Sequence, residues 1–199
     1  LLGSLWFNSF SAGGGAASDY ELISTTVLGS TTASVTFNVS ALSSTYKHLQ
    51  LRITARNAWA APSGTVAYGA NALVRFNGDS TSGNYRSHYV EGNTASGMLS
   101  GDYGTISGAY IPDLGGVWDS TIANVYSAGV VDILDPFSAT KNKTLRTFYG
   151  NIKAGQGRVG LNSTAWFSTA AVTSIVVSED GSGGGYKAGS RFSLYGLKG

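Results

Sequence analysis

Thr45-Tyr46-Lys47-His48-Leu49-Gln50-Leu51-Arg52-Ile53-Thr54-Ala55-Arg56-Asn57 is the stretch whose reading decides the fold. Leu49, Leu51, Ile53 and Ala55 fall on odd positions, and Gln50, Arg52, Thr54 and Arg56 on even ones. Successive Cβ atoms of a strand point to opposite faces, so this alternation describes a strand with one buried and one wet side. A helix would need its apolar residues three and four apart. The Leu/Leu/Ile face requires a covering layer, and the remaining chain is built to supply one.

Upstream, residues 20–28 and 33–37 read as two strands joined by Gly29-Ser-Thr-Thr. Downstream, residues 72–76 form a strand that ends at Asn77-Gly78-Asp79-Ser80, and residues 84–91 return from it. Asn-Gly tolerates positive φ at both positions, so a hairpin is expected there. Residues 92–104 are polar and Gly-rich and read as a loop, followed by a short strand at 105–111. Further strands are expected within 121–134, at 143–151, 160–167 and 171–177, and at 190–199. The terminal strand is expected to pair near the first. About eleven short strands between turn signals, with no convincing helix, indicate an all-β antiparallel β-sandwich, most simply a jelly roll.

At 199 residues the chain suits one large domain, and composition does not break between Tyr20 and Gly199. The organisation expected is a single β-sandwich over 20–199, preceded by an extended N-terminal arm and Gly-rich linker over 1–19. A hydrophobic share of 42% is too high for a disordered chain. The net charge of +2 is small and dispersed, which argues against a phosphate-binding surface and hence against nucleic acid as a partner. Lys141, Lys143 and Arg146 form the one basic cluster, and a solvated turn explains it. Charged residues make up only 12% of the chain, about half the usual share. Such a surface fits a particle-bound or extracellular protein. Without Cys there is no disulfide, thiolate metal site or Cys nucleophile. No apolar run approaches the roughly 20 residues of a membrane-spanning helix.

Catalytic patterns are sparse. His48 and His88 are the only histidines, there is no Gly-x-Ser-x-Gly elbow, and two His without Cys fall short of a zinc set. Asp132 and Asp135 are close enough in sequence to suggest a glycosidase pair. Asp135, however, precedes Pro136 and reads as a turn former, while Asp132 lies in an apolar run and calls for a partner such as an Arg. Asn77 and Asp79 could offer oxygens to calcium, but far below an EF-hand pattern. No cofactor is expected. An alternative function is a polysaccharide-degrading β-sandwich enzyme using Asp132, Asp135 or His88.

Two other features carry more weight. Residues 1–10 bear Leu1, Leu2, Leu5, Trp6, Phe7 and Phe10, followed by the Gly-rich tether at 11–19. They have no basic leader, and Gly3, Ser4, Asn8 and Ser9 interrupt the apolar run, so a signal peptide is not the reading. Exposed aromatics in water are a liability. The arm therefore either tucks back over its own domain or docks into another subunit or protein, and it is expected to anchor the domain. Trp59, Tyr68, Tyr103, Trp118 and Tyr186 lie in or near loops or half-buried strands; core and rim packing accounts for most such aromatics, and the rest are expected to face a ligand, such as a glycan or a protein.

Several stretches occur together in one order: Tyr20-Glu-Leu-Ile-Ser-Thr-Thr-Val-Leu, Ser44-Thr-Tyr-Lys-His-Leu-Gln-Leu-Arg, Arg75-Phe-Asn-Gly-Asp-Ser, Val131-Asp-Ile-Leu-Asp, Lys141-Asn-Lys-Thr-Leu-Arg, Thr169-Ala-Ala-Val-Thr-Ser-Ile and Ser190-Arg-Phe-Ser-Leu-Tyr-Gly-Leu-Lys-Gly. In these the chain resembles a family of small structural proteins of tailed bacteriophages, notably phages of aquatic bacteria. The resemblance covers most of the chain from Tyr20 onward and is most specific in the terminal strand. It implies a virion component without catalytic residues; together with the charge-poor sandwich and its apolar arm, the expectation is a protein of the virion surface, a short tail fibre or a capsid decoration protein. Its partners would be other virion proteins of the tail or capsid and, for a fibre, a host-surface glycan or protein. By analogy with viral surface jelly rolls, a homotrimer is expected.

Overall fold

The structure, a computed structural model, describes residues 18–58, 70–94, 96–116, 123–153, 156–181 and 184–199. The described residues form twelve strands, in chain order β1 (Tyr20–Val27), β2 (Ser34–Asn38), β3 (His48–Ala55), β4 (Ala70–Phe76), β5 (Tyr85–Asn93), β6 (Gly97–Ile106), β7 (Ala109–Gly116), β8 (Ser127–Leu134), β9 (Lys143–Lys153), β10 (Gln156–Trp166), β11 (Ser174–Glu179) and β12 (Arg191–Leu197). One 3-10 turn at Ser40–Leu42 is the only helical element among the described residues. The strands form two antiparallel sheets, ordered β1-β12-β3-β8-β9-β10-β5-β6 and β2-β11-β4-β7, packed as a sandwich.

β3 behaves as its pattern requires. Leu49, Leu51, Ile53 and Ala55 are all buried, facing a core that includes Phe37, Val74, Phe76, Ile111, Ile175 and Val177. The last strand closes on the first: β12 pairs with β1 and with β3, and Glu21 and Lys198 form an ion pair beside that junction.

The chain alternates between layers. β1, β3, β8 and β12 lie in one, and β2, β4, β7 and β11 in the other. The consecutive pairs β5–β6 and β9–β10 extend the first layer beyond β8. The small sheet has only four strands, so the inward faces of this extension are filled differently from the aliphatic core. Glu91 is buried, with its carboxylate accepting from the Tyr149 hydroxyl at 3.1 Å and standing 3.5 Å from Arg158 Nε. Burial, reinforced by the charge of Glu91, pushes the Tyr149 phenol well above its ordinary range.

Three expectations need correction. The Asn77-Gly78 turn has the expected positive φ at both residues, 55° and 70°, yet it does not close a hairpin. β4 pairs with β11 and β7, whereas β5 pairs with β10 and β6, so the turn carries the chain from one sheet to the other. Side-chain bonds fix this corner. Asp79 accepts from the Trp166 indole at 2.7 Å, the Asn84 amide at 2.8 Å and the Thr81 N–H at 2.9 Å. Asn77 Oδ1 accepts from the backbone N–H groups of Thr173 and Ser174, so the corner's oxygens are directed at protein donors. Nearby, Lys143 is fully buried rather than part of a solvated basic turn. Its ammonium donates to the Lys141 carbonyl at 2.7 Å, and desolvation lowers its pKa. The third correction is β6, a ten-residue edge strand through most of the stretch read as a loop. Both its faces are largely exposed, so no apolar alternation marks it.

Desolvation works to raise the Asp79 carboxyl, but donation from Trp166, Asn84 and Thr81 outweighs it and holds the group at about 2. A depressed folded-state pKa stabilises above the unfolded value of about 4, and that contribution fades as pH falls towards 2. Asp79→Asn should therefore lower unfolding free energy by about 1–2 kcal/mol at neutral pH. In denaturant titrations, the gap from wild type should shrink between pH 4 and pH 2.

Candidate binding face

The extension strands also alternate, but here both faces carry apolar residues. On β9, Leu145 and Tyr149 point inward while Arg146, Phe148 and Ile152 point out. On β10, Asn162, Thr164 and Trp166 are buried, while Val159, Leu161 and Ser163 are exposed. Register then brings separate stretches of sequence into rows across the outer face. Val130 of β8 stands opposite Phe148, Phe148 opposite Leu161, and Leu161 opposite Val90 of β5. With strands about 4.8 Å apart, this apolar row spans about 14 Å. Phe148 is 56% exposed, Leu161 54% and Val90 41%. The adjacent row adds Val159 and Met98, separated by the side-chain-free Gly92.

On its other side the apolar row is bordered by a polar one. Gln50, Asp132, Arg146, Ser163, His88 and Asp102 face one another in turn across β3, β8, β9, β10, β5 and β6. Together the rows frame an open depression of about 640 Å³, floored by Phe148 and Leu161 and edged by Asp132, Arg146 and His88. An apolar floor with a charged border is the anatomy of a protein-contact surface.

The polar row places Ser163, His88 and Asp102 in the order of a nucleophile, base and orienting acid. Their geometry does not support that chemistry. His88 Nε2 lies 4.0 Å from Asp102 Oδ2, beyond hydrogen-bond distance, and the two side chains are 78% and 55% exposed. A carboxylate that does not bind the imidazole cannot fix its tautomer. Asp132 is a groove residue rather than a buried charge: its Oδ1 accepts from the Gln50 amide at 2.7 Å, and Arg146 faces it across the strands. Asp135 is held elsewhere, at the end of β8, where its carboxylate accepts from Lys141 at 2.7 Å. That bond, ahead of any other influence, lowers its pKa, the opposite of what a glycosidase acid requires. The Asp135 backbone N–H donates to His48 Nδ1 at 3.0 Å, so that nitrogen serves the turn as an acceptor. Asp132 and Asp135 thus do not act on one point.

Of the five aromatic candidates for facing a ligand, Trp59, Tyr68 and Trp118 lie outside the described residues, as do the arm residues Leu1, Leu2, Leu5, Trp6, Phe7 and Phe10. Tyr103 is half-buried on β6, stacked on Tyr89 at 4.8 Å and packed against Tyr110 at 4.5 Å. Tyr186 does not face a ligand. It is 0% exposed, bridged to Thr32 by two backbone hydrogen bonds, with its ring edge-on to Phe192 at 4.8 Å. Residues that sequence reasoning missed are Phe148, Leu161, Val90 and Val130. Phe148, Leu161 and Val90 belong to half-polar strands and Val130 to an apolar run, and only the cross-strand register makes them one surface. Comparison of the chain with protein-family models, curated proteins and solved structures gives no match.

The two faces should respond differently to substitution. Leu51→Ala, emptying a site between the sheets, should cost about 2–5 kcal/mol. Phe148→Ser should stay within about 1 kcal/mol of wild type. Urea unfolding of the two variants measures both, and equal losses would show that the outer row belongs to the core.

Proposed function

We propose that this chain is a non-enzymatic surface protein of a tailed-bacteriophage virion, a short tail fibre or a capsid decoration protein. The observation that carries this reading is the apolar strip on the outer face of the large sheet. A strip of several large apolar side chains bordered by charges suits a subunit that works against other protein subunits. The arm adds to it, with six large apolar residues on a Gly-rich tether ahead of a charge-poor domain. The resemblance to phage structural proteins in the stretches from Tyr20 to the terminal strand points the same way.

We read the alternation between layers as an eight-stranded jelly roll with two inserted hairpins, β5–β6 and β9–β10. On this reading the insertions carry the assembly surface and the jelly roll holds them. A homotrimer on the virion surface, with the N-terminal arm fixed to a tail or capsid protein, is the arrangement we favour by analogy. In the fibre form the exposed face and loops meet a host-surface glycan or protein; in the decoration form the domain bridges neighbouring shell subunits.

Deleting residues 1–18 tests the attachment. The shortened protein should fold, by circular dichroism, and should no longer co-sediment with particles. Normal incorporation would overturn the anchoring role of the arm.

A further inference from the structure

We propose that in the free subunit the apolar strip Val130, Phe148, Leu161 and Val90 is the seat of this chain's own N-terminal segment, residues 1–10. The chain emerges at the edge of the sheet that carries the strip. β1 is an edge strand of that sheet, and the Asp19 carbonyl just before it accepts from the Lys198 N–H, just past β12, at 2.8 Å. Tyr20, the first strand residue, already lies on the outer face. Its ring stacks on Tyr195 at 4.8 Å, and its hydroxyl donates to Gln50 at 2.6 Å. The Gln50 amide in turn donates to Asp132, at the border of the groove.

The strip also lies within the arm's reach. From β1 to β9 is four inter-strand steps, about 19 Å at 4.8 Å each. Phe148 lies about four residues further along the strand direction, adding about 14 Å and giving a direct span of about 24 Å. Ser18 and Asp19 are held beside β1, so the tether is the seven residues 11–17; eight steps from Ser18 to Phe10 cover at most about 28 Å, and twelve steps to Trp6 about 42 Å. The strip is thus within reach of the arm of the same molecule, whereas a second copy must first meet it by diffusion. Tethering of this length supplies an effective concentration on the millimolar scale.

The chemistry also matches. Residues 1–18 contain no charged side chain, and Leu1, Leu2, Leu5, Trp6, Phe7 and Phe10 are a concentrated apolar load. They match a floor of Phe148 and Leu161, while Asp132 and Arg146 at the border can keep their charges in water. Transfer of the segment to a particle would free the strip, a step that rests on the virion reading; occupancy in the free subunit does not.

The chain has no cysteine, so two introduced thiols report without interference. Ser9→Cys combined with Ser163→Cys keeps every apolar contact and places one thiol on the arm and one beside the strip. The control pairs Ser9→Cys with Thr36→Cys, exposed on the small sheet. Under mild oxidation at low protein concentration, the first pair should give an intrachain disulfide at least about tenfold more efficiently than the control. Adding Phe148→Asp should reduce that yield to the control level while circular dichroism stays unchanged. Equal yields for the two pairs would overturn the proposal. So would a disulfide-linked dimer from the first pair, which would place the arm on a second copy. Loss of particle incorporation or its persistence bears on the virion reading alone and leaves this result standing.

Discussion

The fold depends on the pleat of β3, which holds Leu49, Leu51, Ile53 and Ala55 between the two sheets. Each large side chain buried there contributes about 1.5–3 kcal/mol relative to exposure. A one-residue slip in register would turn all of them into water and bring Gln50, Arg52 and Thr54 into the core. That constraint fixes β12 and β8 on either side of β3, and β8 fixes β9 in turn. The outer row Val130–Phe148–Leu161–Val90 is therefore a consequence of register set two strands away.

In the extension, the large sheet outgrows its cover. Beyond β8, the four-strand layer no longer supplies a broad aliphatic surface, and the inward side chains become Tyr149, Asn162, Glu91 and Arg158, tied by hydrogen bonds and charge. These strands also leave large apolar side chains exposed. Seven of the large apolar residues exposed in the described structure, Val90, Met98, Leu99, Phe148, Ile152, Val159 and Leu161, lie on β5, β6, β9 and β10. These strands thus mix polar and apolar side chains on both faces, with Leu145, Tyr85 and Trp166 inside beside Glu91 and Asn162, and Phe148 and Leu161 outside beside Arg146 and Ser163.

Much of this architecture is legible in the sequence alone. The alternation at 49–55 specifies a strand and its buried face, and the terminal strand's pairing with the first follows from the need to close the sheet. The sheet-to-sheet corner at Asn77-Gly78 is not legible, because positive φ at two residues serves a hairpin and a corner equally; the difference lies in Asp79 and Trp166, which are far apart in sequence. β6 escapes because an edge strand exposed on both faces needs no apolar pattern. Tyr186 sits among Gly and polar residues that read as a loop, yet two hydrogen bonds to Thr32 draw it into the core. The binding face is hidden for a related reason: Phe148, Leu161 and Val90 become neighbours only through strand pairing.

The central claim, that this chain is a structural component of a particle, is tested most directly by its copy number in purified virions, measured by quantitative mass spectrometry against the major capsid protein. The account predicts a fixed ratio from one preparation to the next. Copies by the hundred per particle would assign the chain to the shell, and a few tens or fewer to the tail. Absence from purified particles, or a variable trace that washes away, would contradict it.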